Sequence, residues 1–233
     1  MDKHLVYMDF QNHKLKLPVS NFDAVANNDQ TLRRHGELLP SSIRAVFCGP
    51  SNCGKTNALL ALLVHPNGLR FENVYIYSKT LNQPKYQFLK DLLEPIDEVQ
   101  YFPFSDNQQV ILPDQVLPNS IMIFDDIACE KQGNIKTYFY MGRHKDVDSF
   151  YLWQSYARIP KHFVIFRQDE MNLKHIYNDH VNTDMTFAQF KDLCLKCWNN
   201  DKFGFMAIDK DSDMGNGRYR KIFDQYLINT SAN

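Results

Sequence analysis

Gly49-Pro50-Ser51-Asn52-Cys53-Gly54-Lys55-Thr56 is the stretch on which the reading of this chain turns. It fits G-x-x-x-x-G-K-[S/T], a pattern that a chain of this length and ordinary composition shows by chance about once in a hundred cases. Its flanks add weight. Before it, Ile43-Arg44-Ala45-Val46-Phe47-Cys48 is an apolar run of strand length, and after it Asn57-Ala58-Leu59-Leu60-Ala61-Leu62-Leu63-Val64 has helical content. Strand, glycine-rich loop and helix, in that order, are the context a phosphate-binding loop requires. The glycines let the backbone curl so that successive N–H groups face phosphates, at a helix N-terminus whose partial positive charge favours anions. Gly49, Pro50, Ser51, Asn52, Cys53, Gly54, Lys55 and Thr56 then form a nucleotide cradle. Lys55 reaches the β- and γ-phosphates of ATP, and the Thr56 hydroxyl ligates Mg2+. The plain alternative is a glycine turn with no ligand. Cys53 reads as a small space-filling residue whose thiol is open to modification when nucleotide is absent.

Working outward, Ile121-Met122-Ile123-Phe124-Asp125-Asp126 is an apolar strand ending in two carboxylates, the form of a Walker B element. Neighbouring residues on a strand point to opposite faces, so the two acids have different tasks. Asp125 is expected to hold the Mg2+ shell, and Asp126 to orient and polarise the attacking water. Phe150-Tyr151-Leu152-Trp153-Gln154-Ser155 is a further buried strand ending in an amide. Gln154 is placed to hydrogen-bond the γ-phosphate or the lytic water. Arg143 and His144 precede that strand where a loop can face a neighbouring subunit, as an arginine finger does. Read from the residues alone, each of these groups also has a purely structural reading.

Further apolar runs at Val74-Tyr75-Ile76-Tyr77 and Phe163-Val164-Ile165-Phe166 alternate with segments long enough for crossover helices, notably Pro84 to Leu93 and Asn134 to Arg143. This predicts an α/β P-loop NTPase fold, a mainly parallel central sheet with helices on both faces. A helical stretch from Met171 through Trp198 and a strand over 203–208 complete the pattern. Three regions are expected: an N-terminal arm over 1–38, a P-loop ATPase domain over 39–210 and a basic tail over 211–233. Cys194 and Cys197, with His175 and His180 upstream, have the makings of zinc ligands, against which stands the reading of buried thiols beside surface histidines.

The bulk numbers set limits. Among 233 residues, 44% are hydrophobic and 23% charged, ordinary globular values, and no run of eighteen or more apolar residues offers a membrane span. The first residues, MDKHLVYMDFQNHKLKLP, make a poor signal peptide, and an odd number of scattered cysteines, five, argues for reduced thiols. The expected setting is intracellular, in a host nucleus or cytoplasm or viral factory, and not secreted. With a net charge of −1 there is no strong global field for nucleic acid, so any DNA contact must be local. Lysines and arginines cluster at Lys14/Lys16, Arg33/Arg34 and Arg218/Arg220/Lys221.

The run Arg34-His35-Gly36-Glu37-Leu38-Leu39-Pro40-Ser41-Ser42-Ile43-Arg44 resembles the packaging ATPases of Polinton/Maverick elements, adintoviruses and related large DNA viruses, within the FtsK/HerA class. So do Phe124-Asp125-Asp126, Met141-Gly142-Arg143-His144, the stretch from Trp153-Gln154-Ser155-Tyr156 to Ile159-Pro160-Lys161, Asn172-Leu173-Lys174-His175-Ile176-Tyr177 and Arg218-Tyr219-Arg220-Lys221. Matched motif to motif, the resemblance implies nucleotide binding by Lys55 and Thr56, metal and water activation by Asp125 and Asp126, a sensor Gln154 and a trans-acting Arg143. It also implies ATP and Mg2+ as cofactors. The partners it implies are double-stranded DNA, capsid or portal-like proteins and a homo-oligomeric ring, pentamer or hexamer, with no membrane. One departure is that Ile159-Pro160-Lys161-His162 runs almost directly into Phe163, where the family carries an Arg-x-Asn segment. That departure sustains a second reading, a nucleotide-binding assembly factor with weak turnover. A P-loop kinase would need an arginine-rich lid and a GTPase an Asn-Lys-x-Asp element, and the sequence presents neither.

Overall fold

The computed structural model describes residues 34–105, 110–125, 127, 133–142, 146–154, 162–199 and 203–227, all within the compact unit Arg33–Asn233. In chain order the elements are β1 (Arg44–Cys48), α1 (Lys55–Val64), β2 (Asn73–Ser78), α2 (Pro84–Leu93), β3 (Gln100–Phe104), β4 (Ser120–Asp125), α3 (Gly133–Met141), β5 (Val147–Trp153), β6 (His162–Ile165), α4 (Glu170–His180), α5 (Phe187–Trp198), β7 (Met206–Asp209), β8 (Tyr219–Lys221) and β9 (Gln225–Tyr226). They build a nine-stranded sheet in the order β3-β2-β4-β5-β1-β6-β7-β8-β9. The first six strands in that order pair in parallel and the last three antiparallel.

Strand alternation distributes the core. Ala45 and Phe47, Val74 and Ile76, Ile121 and Ile123, and Phe150 and Leu152 face α1 and α2. Their alternates, among them Val46, Tyr75, Tyr77, Met122, Phe124 and Tyr151, pack against Ile135, Tyr138 and Phe139 of α3. On that second face, Phe163, Ile165, Met206 and Ile208 meet α4 and α5. Both faces are thus covered, which is why β2 and β4 are buried at every position and read as continuous apolar runs.

Helix ends follow local chemistry. Pro84 opens α2 with its fixed φ. Asp169 caps α4 by accepting from the Asn172 N–H at 2.8 Å, and Thr186 and Gln189 form a capping box at α5. That box explains a difference from the sequence expectation: the single helical stretch over 171–198 is two helices, because Thr186 restarts the helix after a turn at 181–185. The strands β3, β8 and β9 were also unforeseen.

The sheet continues past residue 210, into the segment expected as a basic tail. β8 pairs with β7, and Arg220 is buried, donating to the Gly217 carbonyl at 2.7 Å, to the Leu38 carbonyl and to Asp209. Arg218 is bound to Asp184 at 2.7 Å. These arginines therefore fasten the sheet edge and do not form a solvated basic patch. Residues 34–36, placed in the expected arm, are likewise tied in. His35 Nδ1 accepts from the Arg70 N–H at 3.1 Å, so Nε2 carries the proton and donates to the buried Asp148 at 2.9 Å. Arg34 reaches Asn119 at 3.1 Å and Asp148 at 3.4 Å. Among the described residues, no helix is long and apolar enough to cross a membrane.

Candidate functional site

The loop after β1 turns sharply because its residues permit nothing else. Asn52 and Gly54 both have positive φ, 62° and 107°, and Gly54 is the N-cap of α1. A Cβ on Gly54 would lie 2.6 Å from the Phe203 ring, and one on Gly49 would lie 2.6 Å from Cys53 Sγ and 2.7 Å from Phe166 Cβ. No side chain fits at either position, so the backbone runs close against its support and leaves the other side of the loop open. The Gly49 N–H donates to the Trp153 carbonyl at 3.0 Å, which anchors the loop to the end of β5. Lys55 folds over the loop, its ammonium donating to the Gly49 carbonyl at 2.7 Å and the Pro50 carbonyl at 2.9 Å.

Strand order and parity bring the other groups to this loop. β5 lies between β1 and β4, so the strand ending at Gln154 separates the loop strand from the strand ending at Asp125. Ile121 and Ile123 face α1 and α2, and alternation turns Asp125 to that same face. Phe150 and Leu152 do the same for Gln154. The result is a cavity of about 110 Å³ whose walls include Lys55 and Thr56 from α1, Asp125 from β4 and Gln154 just past the end of β5, together with Ser51, Asn52 and Gly54. Asp126, Arg143 and His144 lie outside the described residues, as do residues 155–161.

Three further lining residues were not singled out from the sequence: Thr80 and Gln83 from the segment joining β2 to α2, and Lys85 from the first turn of α2. A fourth group stands behind the wall. Tyr86 is 2% exposed, and its hydroxyl donates to Asp125 Oδ2. Burial, and then the Asp125 charge, push the phenol far above its ordinary range, so Tyr86 stays protonated and acts as a donor. Its apolar-face position was legible from the spacing of Tyr86, Leu89 and Leu93. Its partner was not, because that depends on β2 lying beside β4.

The residues fit a magnesium-bound nucleoside triphosphate. The close-packed glycine loop presents backbone donors, Lys55 supplies a cation, and Thr56 and Asp125 offer the hydroxyl and carboxylate oxygens that Mg2+ prefers. Lys85 makes no ion pair among the described residues, so the described walls carry more positive than negative charge, as a polyphosphate requires. Burial raises the Cys53 thiol against the opposing influence of Lys55 and Lys85, and burial pushes Cys48 up to about 12. Both thiols are therefore neutral at physiological pH.

Elsewhere, Cys194 and Cys197 are buried in the α5 core, with Cys197 pushed up to about 11 by burial. The His180 ring lies 4.2 Å from the Phe163 ring. Among the described residues no group of three or more His, Cys, Asp or Glu is placed to hold a metal. A second hollow, about 60 Å³, is walled mainly by core side chains such as Phe47, Phe150 and Phe163 and offers no phosphate-binding backbone.

No protein-family model matches the sequence, and no curated protein resembles it significantly. The fold does have solved relatives. The genome packaging NTPase of Sulfolobus turreted icosahedral virus 2, in complex with sulfate, superposes with a TM-score of 0.50 at 12% identity, covering 80% of this chain and 96% of that one. The same viral NTPase in complex with AMPPCP gives a TM-score of 0.46 at 9% identity, over 73% of this chain and 93% of that one. The N-terminal domain of zonular occludens toxin from Neisseria meningitidis gives 0.30 at 14%, over 56% and 79%. The first likeness establishes the fold: a mixed, mostly parallel sheet of the P-loop NTPase kind, as the resemblance implied.

Proposed function

We propose that this chain is an ATP-hydrolysing motor that moves double-stranded DNA into a viral or transposon-derived capsid, working as a homo-oligomeric ring of five or six subunits inside a host nucleus or cytoplasm. The observation that carries the reading is the convergence of Lys55, Thr56, Asp125 and Gln154 on one cavity at the carboxyl ends of β1, β4 and β5. Ligands of open α/β sheets bind at that end.

The loop backbone from Gly49 to Gly54 binds the phosphates, and Lys55 draws charge from the β- and γ-oxygens. Mg2+, held through Thr56 and Asp125, supplies further neutralisation of the phosphate oxygens. Asp126 accepts a proton from the attacking water and holds it in line with the γ-phosphorus. Gln154 donates to the γ-phosphate or that water, and its position at the end of the central strand β5 lets it report hydrolysis to both halves of the sheet. Arg143 is supplied to a neighbouring subunit's site.

ATP turnover measured with and without duplex DNA tests this reading. Stimulation by duplex DNA in the native protein, absent in Lys55→Ala, is the expected result. Turnover that responds to a metabolite acceptor and not to DNA would mark a kinase. Bound nucleotide with slow, DNA-independent turnover would mark the assembly factor.

A further inference from the structure

Thr56 and Asp125 sit on different elements, α1 and β4, and a metal held between them needs both oxygens fixed to within a fraction of an ångström. A group on α2 holds the Asp125 carboxylate: Tyr86, buried at 2% exposure, donates its hydroxyl to Asp125 Oδ2.

We infer that Tyr86 is a positioning residue for the metal site: by holding one carboxylate oxygen of Asp125, it fixes the orientation of that metal ligand and links its geometry to α2. The inference rests on the nucleotide-binding reading above. A buried tyrosine whose only task was packing would present its ring to the core and send its hydroxyl to a backbone carbonyl or to solvent. Tyr86 instead brings its hydroxyl to Asp125, one of the two side chains that the motif assigns to the metal. Outer groups of this kind typically contribute ten- to a hundredfold to metal affinity or activity.

The test is Tyr86→Phe, which removes one oxygen and keeps the ring. ATP turnover titrated with Mg2+ should need about tenfold more metal for half-saturation, and saturating Mg2+ should restore most of the turnover. Affinity for a fluorescent ADP analogue in EDTA should stay within about twofold. In an Asp125→Asn background, adding Tyr86→Phe should change the metal dependence no further, because the tyrosine acts through that carboxylate. An unshifted Mg2+ titration, or equal loss of nucleotide affinity with and without metal, overturns the inference while leaving the nucleotide site standing. A native protein with no Mg2+-dependent nucleotide binding overturns both. Should Tyr86→Phe fail to fold, native protein labelled with 13Cζ-tyrosine decides the matter. One buried tyrosine signal should move on adding Mg2+ and ADP and be displaced in Asp125→Asn, and a signal set that ignores both contradicts the assignment.

Discussion

On the proposed reading, the single ammonium group of Lys55 would carry most of the charge that the loop presents to a polyphosphate, and backbone dipoles alone would not replace it. Lys55→Ala is expected to weaken ATP binding by at least about a hundredfold in a nucleotide titration, and unchanged affinity would remove the phosphate-loop assignment. The acid pair should divide its effects. Asp126→Asn is expected to leave Mg·ATP bound while slowing hydrolysis about a hundredfold or more, whereas Asp125→Asn should also alter the metal requirement. Equal, mild effects from both changes would mean that the water-activating acid lies elsewhere. That Lys55, Thr56, Asp125 and Gln154 line one cavity follows from features present in the sequence: the first two open the helix after the glycine loop, and the other two stand at or just past the end of an apolar strand, where parity decides which face they take. The places of Tyr86 and Lys85 were not legible there. Their approach to the site depends on α2 lying over the pairing of β2 with β4, a long-range contact that leaves no local mark.

Among the elements, those written as continuous apolar runs were readable, and α2 was expected over the same residues, Pro84 to Leu93, that it occupies. β3 was hidden because it is a half-exposed edge strand containing Pro103, paired with Ile76 where only an edge position tolerates proline. The short strands β8 and β9 were hidden behind a Gly-, Asp- and Asn-rich turn. At the end of α4, a histidine in the last turn would ordinarily gain a proton from the helix dipole. His180 goes the other way: burial, and then the Lys210 ammonium, hold it down at about 4, with Lys210 Nζ 3.3 Å from His180 Nδ1. Its folded value lies below its unfolded value, so the folded state takes up fewer protons and loses stability as pH falls from about 6.5 toward 4. With solvent screening the effect is on the order of 1 kcal/mol, or about 2–4 °C in melting temperature. His180→Phe, which keeps the ring contact with Phe163, should melt closer to or above the native protein at pH 4.5 than at pH 7. An identical difference at the two pH values would show that His180 is not the source.

For the whole molecule, the strand order places the strand before Gln154 between the strands that lead to the glycine loop and to Asp125, so on the proposed reading a change at a γ-phosphate would reach the sheet at its centre. With a net charge of −1 and with Arg218 and Arg220 committed to internal contacts, the proposed DNA contact would have to be a local surface, which a ring would multiply around its bore. A trans-acting Arg143 makes the ring part of the chemistry. Turnover per subunit should then rise with protein concentration, and Arg143→Ala should cost about a thousandfold without loss of ATP binding. Mixing Arg143→Ala with Lys55→Ala subunits should restore partial activity, since some interfaces combine one intact half from each. A mixture as inactive as its components, in oligomers shown to be mixed, would exclude the finger. Motion along duplex DNA is the central claim, and displacement of a triplex-forming strand from linear DNA reads it most directly. The native protein should release the third strand with ATP and Mg2+, and neither Lys55→Ala nor the native protein with a non-hydrolysable ATP analogue should do so. Sustained ATP hydrolysis on that DNA with the triplex left in place would contradict the motor.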